Sequence, residues 1–163
     1  MKVFYTRKRV NGEEFCRRVL RERYGLEDPG FAREENGKPY LLNSSLKISV
    51  SHSGELLALA VGDCEAGLDI ELRREMRRGS LLRRMDERER EEDFFRLWTA
   101  KESYVKYRGS TLAHMLESLV YYGGVLYENG VPAPVFFTCF EFENYVFTIC
   151  TAQKIQAETE EIL

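Results

Sequence analysis

Apolar and polar positions along the chain switch repeatedly between a period of two and a period of three to four. Residues 2–6 (KVFYT) read as a short strand. Over 12–24, Phe15, Cys16, Val19, Leu20 and Tyr24 share one helical face and Gly25 follows as a stop, which predicts an amphipathic helix. Residues 26–46 contain Pro29, Gly30 and Asn36-Gly37-Lys38-Pro39 and read as loop. Strands are predicted at 47–51 and 56–62, joined through His52-Ser53-Gly54, and at 66–72, where Leu68 and Ile70 alternate with Asp69 and Glu71. A helix or helix pair covers about 80–107. The pattern then returns to β: 117–122 and 125–127 flank Gly123-Gly124, and 135–142 and 145–151 flank Glu143-Asn144 as a tight hairpin. The acidic tail, 152–163, is expected to fray. This order predicts an α+β fold with mainly antiparallel sheets.

A chain of 163 residues suits one domain and buries roughly 70% of its unfolded surface. No run approaches the ~18 apolar residues that span a bilayer, and the apolar part of MKVFYTRKRV is too short for a signal peptide. The expected location is the cytoplasm, with no membrane partner. Cys16, Cys64, Cys139 and Cys150 form no CxxC pair and read as reduced thiols. A net charge of −3 gives no indication of nucleic-acid binding. Arg73, Arg74, Arg77, Arg78, Arg83 and Arg84 cluster ahead of an acidic run at 87–93. A solvated face is the simplest reading of that cluster, and an acidic partner protein is the functional one.

Candidate chemistry gathers in two stretches. In GLDIE (67–71) the strand period puts Asp69 and Glu71 on one face. In FFRLWTAKESYVK (94–106) Trp98, Glu102 and Lys106 fall four apart along one side of a helix, with Lys101 beside them. Three carboxylates with lysines alongside match a Mg²⁺ ion that shares its shell with substrate phosphates. Singly, each feature has a plainer reading: a solvated strand, an i,i+4 helix pair, and a core helix face for Phe94, Phe95, Leu97 and Trp98. His114 has no motif around it.

The order of four motifs carries more than any one of them. NGKPY (36–40), ISVSHSG (48–54), GLDIE (67–71) and FFRLWTAKESYVKYRG (94–109) together resemble the 4′-phosphopantetheinyl transferases of the Sfp type, over about residues 8–150. The resemblance implies two pseudo-symmetric lobes with packed helices, here 1–65 on the adenine and 3′-phosphate side and 66–163 with the metal-binding and catalytic motifs. It implies transfer of the phosphopantetheine arm of coenzyme A to a serine of an acyl or peptidyl carrier protein, with Mg²⁺ as cofactor and adenosine 3′,5′-bisphosphate as by-product. Asp69, Glu71 and Glu102 would hold the metal, with Glu102 also the general base. Lys106 and Lys101 would grip the pyrophosphate, Ser51 and His52 a phosphate, and Gly37, Lys38 and Pro39 would line the adenine pocket. Arg7, Lys8 or Arg9 would meet the 3′-phosphate. Glu89, in MDERE, matches a glutamate that the family often carries before the tryptophan helix. The first strand runs almost at once into the first helix, so the N-terminal lobe is trimmed. A monomer is expected. A coenzyme A- or carrier-binding module without transferase activity, or another Mg²⁺-dependent enzyme of nucleotide phosphates, remain the alternatives.

Overall fold

A computed structural model describes residues 1–35, 37–75 and 85–163. The start of the helix expected from residue 80, and Arg77, Arg78, Arg83 and Arg84 of the arginine cluster, lie outside the described residues.

The described elements run β1 (Lys2–Thr6), α1 (Gly12–Tyr24), β2 (Gly30–Arg33), β3 (Pro39–Leu42), β4 (Lys47–Ser53), β5 (Leu56–Gly62), β6 (Ala66–Leu72), a 3-10 turn (Glu87–Glu89) and α2 (Phe94–Arg108). There follow α3 (Leu112–Ser118), β7 (Leu119–Tyr122), β8 (Val125–Glu128), β9 (Val131–Pro132), β10 (Phe136–Phe142), β11 (Tyr145–Thr151) and β12 (Glu158–Glu161). One sheet has the order β12-β1-β5-β4 and a second has β10-β11-β6. Among the described residues all strand pairings are antiparallel except β1 with β12. The fold is α+β, as the pattern predicts.

The two sheets stack face to face between the helices. Phe15, Val19 and Leu20 of α1 pack with Phe4, Ile48, Leu59 and Val61 on the outer face of the first sheet. Its inner face presents Val3, Tyr5, Ala58 and Ala60 to Leu68, Ile70, Phe147 and Ile149 of the second. Beyond the second sheet lies α2, whose Phe94, Phe95 and Leu97 meet Val146 while Tyr104 and Val105 meet Cys150. The small Ala58 and Ala60 let the inner faces approach closely. Burying any one of these large side chains contributes about 1.5–3 kcal/mol.

Local signals set the helix ends. Asn11 caps α1, accepting from the Glu13 and Glu14 N–H groups, and Gly25 ends it in the left-handed region at φ 66°. Asp93 caps α2 in the same way, and Gly109 ends it at φ 63°.

Four sequence readings need correction. The stretch 26–46 is not all loop, since β2 and β3 form a hairpin; each strand has only four residues, and Pro29 and Gly30 mask the short alternation. The strand placed at 117–122 starts at Leu119, because Thr111 caps the short helix α3 ahead of it. Within the described part of the helix or helix pair expected at about 80–107, residues 87–89 form a 3-10 turn and the helix runs over 94–108. The tail is not frayed: β12 pairs parallel with β1, Glu160 bridges Lys2 and Arg23 at 2.6 Å each, and Ile162 is buried in the first core. The tail therefore crosses back to the first sheet, although 66–151 otherwise build the second half of the molecule.

Candidate active site

The face of β6 toward α2 carries Gly67, Asp69 and Glu71, opposite Cys150, Thr148 and Val146 of β11. Gly67 is there because nothing larger fits: a Cβ at this position would lie 1.9 Å from the Ser103 carbonyl oxygen and 2.5 Å from the Tyr107 nitrogen. The backbone of α2 thus rests on the strand just below Asp69. This contact sets the height at which Glu102 and Lys106 of α2 meet the two carboxylates of β6.

Lys106 Nζ donates to Asp69 Oδ1 at 2.7 Å and to Ser51 Oγ at 2.8 Å, and Ser51 donates to the same Asp69 oxygen at 2.9 Å. Asp69 is only 5% exposed, and among the described residues its buried Oδ2 has no hydrogen-bond partner. Glu71 accepts from Ser53 Oγ at 2.8 Å. Burial raises the pKa of Asp69, against the pull of Lys106. Burial also raises Glu71, helped by the charge of Asp69. Glu102 is raised by burial and then by Asp69 and Glu71. The charge of Asp69 thus disfavours ionisation of Glu71 and Glu102, and Glu71 adds to the effect on Glu102, opposed by Lys106 and, at Glu71, by Arg74.

An orphaned buried carboxylate oxygen and an all-oxygen donor set fit Mg²⁺. Among the described residues no three His, Cys, Asp or Glu side chains converge into a ready-made cage. Mg²⁺ tolerates that, because it keeps several waters and takes substrate phosphate oxygens.

Two adjoining clefts open beside this group. One, of about 810 Å³, is lined by Phe31, Gly37, Lys38 and Pro39 on one side and Lys106, Gly109 and Ser110 on the other. The second, of about 850 Å³, is lined by Lys8, Arg9, Ser51 and His52, and both share Val50 and Lys106. Gly37, at φ 87°, turns the β2–β3 hairpin so that Lys38 and Pro39 reach the cleft wall. Lys38 is held there by Glu65 at 2.9 Å. His52 is exposed at the cleft. Arg7 borders the second cleft but is engaged by Glu143 at 2.7 Å.

Lys101 departs from its expected place. It is 4% exposed and lines neither cleft; its ammonium pairs with buried Glu89 at 2.5 Å. The other ties of Glu89 are to the Tyr121 N–H at 2.7 Å and, in a capping box, to the Asp86 N–H at 3.2 Å. The pair thus joins the 3-10 turn, α2 and β7. One position along a helix rotates a side chain by about 100°, which is why Lys101 and Glu102 point apart. The sequence did carry a sign of Glu89's role, the D-x-x-E capping box at 86–89. Ser53 was not anticipated as a partner of Glu71. Its signal is serine at every second position of β4.

The profile of the 4′-phosphopantetheinyl transferase superfamily matches residues 66–121, the segment that contains both β6 and α2. The 4′-phosphopantetheinyl transferase psf-1 of Bacillus pumilus is 30% identical over 96% of this chain and 76% of its own length. The 4′-phosphopantetheinyl transferase HetI of Nostoc sp. is 31% identical over 69% of this chain and 56% of its own. The 4′-phosphopantetheinyl transferase Sfp of Bacillus subtilis is 29% identical over 66% of this chain and 54% of its own. The chain belongs to the 4′-phosphopantetheinyl transferase superfamily.

Proposed function

We propose that this protein transfers the 4′-phosphopantetheine arm of coenzyme A to a serine of an acyl or peptidyl carrier protein, with Mg²⁺, releasing adenosine 3′,5′-bisphosphate. The observation that carries this reading is the meeting of Asp69, Glu71 and Glu102 with Lys106 beside a cleft that also holds Lys38, Pro39, Ser51 and His52.

Coenzyme A occupies the two adjoining clefts. Its adenine lies against Gly37, Lys38 and Pro39, and its pyrophosphate meets Lys106 and His52. Because Arg7 is engaged by Glu143, Lys8 and Arg9 are the cations left for the 3′-phosphate. Asp69, Glu71 and Glu102 would hold Mg²⁺, which when bound supplies charge neutralisation at the pyrophosphate oxygens. The carrier serine oxygen attacks the β-phosphorus, and the bond from that phosphorus to the bridging oxygen breaks. The serine proton goes to Glu102, the half-buried carboxylate of α2. Lys106, pinned by Asp69 and Ser51, is oriented before substrate arrives, so little reorganisation remains for the transition state. Lys101 takes no part in binding phosphate.

All four cysteines are free, which accords with a reducing compartment, and we place the protein in the cytoplasm as a monomer. Among the described residues no helix is long and apolar enough to cross a membrane.

Apo carrier proteins incubated with the protein, coenzyme A and Mg²⁺ should gain one phosphopantetheine arm by intact mass spectrometry, and EDTA or Asp69→Ala should abolish the gain. Coenzyme A binding with no transfer to any carrier would refute the reading in favour of a binding module.

A further inference from the structure

Three serines of β4, Ser49, Ser51 and Ser53, alternate along the strand and so share one face. They meet the edge of β6 that does not pair with β11. There the Leu68 N–H donates to Ser49 Oγ at 2.8 Å, the Ile70 N–H to Ser51 Oγ at 3.2 Å and the Leu72 N–H to Ser53 Oγ at 3.0 Å. Side-chain hydroxyls thus take the place of a backbone ladder between the two sheets. The rungs advance by two residues on both strands.

A hydroxyl has one proton and two lone pairs. Since each Oγ accepts from a β6 N–H, its proton is free to point elsewhere. Ser51 gives it to Asp69 and Ser53 gives it to Glu71. The same register would aim Ser49 at residue 67, which is glycine and has no side chain. Only the last two rungs therefore carry a carboxylate. The β4–β5 turn closes the row. Gly54 sits at φ +57°, and a Cβ there would lie 2.8 Å from Tyr145 Oη and 2.9 Å from Leu72 Cδ2, so the turn is seated on the second sheet beside Ser53.

We propose that Ser53 is a positioning residue for Glu71, so that strand β4 of the first sheet sets the geometry of the acidic group borne by the second. The inference rests on the reading of Asp69, Glu71 and Glu102 as the cation-binding group. With its backbone-polarised hydroxyl on Oε2, Ser53 fixes one oxygen of Glu71. Without it, a half-buried carboxylate and the Leu72 N–H each lose a partner.

The test is Mn²⁺ binding followed by electron paramagnetic resonance, with coenzyme A present and no carrier, so that no turnover enters the readout. Ser53→Ala should weaken Mn²⁺ about tenfold, the low end of what losing a partner of a metal ligand costs. Ser53→Thr, which keeps the hydroxyl, should restore it. Ser49→Ala removes a rung with no carboxylate, so it should lower Tm without changing Mn²⁺ affinity. In steady state, Ser53→Ala should raise the Mg²⁺ concentration for half-activity and leave the carrier KM alone. If Ser53→Ala does not fold, Ser53→Cys, which keeps the volume but donates weakly, takes its place with the same expectation. Wild-type affinity in Ser53→Ala, or equal losses in Ser49→Ala and Ser53→Ala, would overturn the proposal. Absence of Mn²⁺ binding in the wild type would instead overturn the metal assignment beneath it.

Discussion

Gly67→Ala is the smallest change that should separate the two halves of the catalytic group. The added methyl would sit 1.9 Å from the Ser103 carbonyl oxygen and 2.5 Å from the Tyr107 nitrogen, between two backbone atoms of α2. Backbone in mid-helix cannot rotate away as a side-chain tip can. To lengthen the shorter contact from 1.9 Å to even 3.0 Å, the helix must retreat from β6 by about 1 Å. Glu102 and Lys106 ride on that helix, while Asp69 and Glu71 stay on the strand. A misplacement of about 1 Å costs on the order of 10²-fold in rate, and overpacking of this kind about 1–3 kcal/mol in stability. Carrier modification followed by intact mass, well below the variant's Tm and with saturating coenzyme A and Mg²⁺, gives kcat; a thermal melt gives the stability. We expect kcat down about 100-fold and Tm down by several degrees. An alanine variant with wild-type kcat would show that the helix-to-strand distance does not set the geometry of the site. A loss confined to Tm would show that the site tolerates the retreat.

Three further outcomes follow from the same geometry. Lys101→Met leaves Glu89 as an uncompensated buried charge, at a cost of about 3–5 kcal/mol; Tm should fall by about 6 °C or more, while the coenzyme A KM of the folded protein, from initial rates, stays put. A changed KM at unchanged Tm would return Lys101 to the phosphates. Ile162→Ala should cost about 2–5 kcal/mol in a denaturant melt, because the tail's last apolar side chain fills the first core; no loss would mean that the tail does not hold. For pH, the folded state raises Asp69, Glu71 and Glu102, so their contribution to stability is greatest in acid and is lost as pH climbs from about 4 through the raised values. Mg²⁺ selects the ionised forms, so the Tm gained from it should be largest above that window and vanish below it; a gain independent of pH would refute the assignment.

Helix α1 was legible to the residue, because five apolar positions and a Gly stop agree. The hairpin β10–β11 was legible for a related reason, with two long alternations around Glu143-Asn144. What failed was short or non-local. Four-residue strands such as β2 and β3 give too few periods to stand above Pro and Gly punctuation. β12 reads as an acidic tail because its stability lies in partners far away in sequence, Lys2 and Arg23 for Glu160 and the first core for Ile162. In the site, alternation placed Asp69 and Glu71 on one face, and the four-residue step placed Glu102 and Lys106 together. Lys101 was misplaced because motif membership says nothing about which way a helical residue points.

The electrostatic balance of the site argues for what it must receive. Lys106 is hydrogen-bonded to Asp69, while the charges of Asp69 and Glu71 both disfavour ionisation of Glu102. Burial disfavours the charge on all three carboxylates, against the pull of Lys106 and, at Glu71, of Arg74. A purely structural cluster would relieve this by apolar replacement or by a second buried cation. Lys101 is the nearest candidate in sequence, but it is committed to Glu89. The serine rungs push the other way: their protons go to the carboxylates and stabilise the ionised forms rather than the neutral ones. A site in which burial and mutual repulsion disfavour the carboxylate charges, and in which among the described residues Asp69 Oδ2 has no hydrogen-bond partner, would be relieved by a divalent cation.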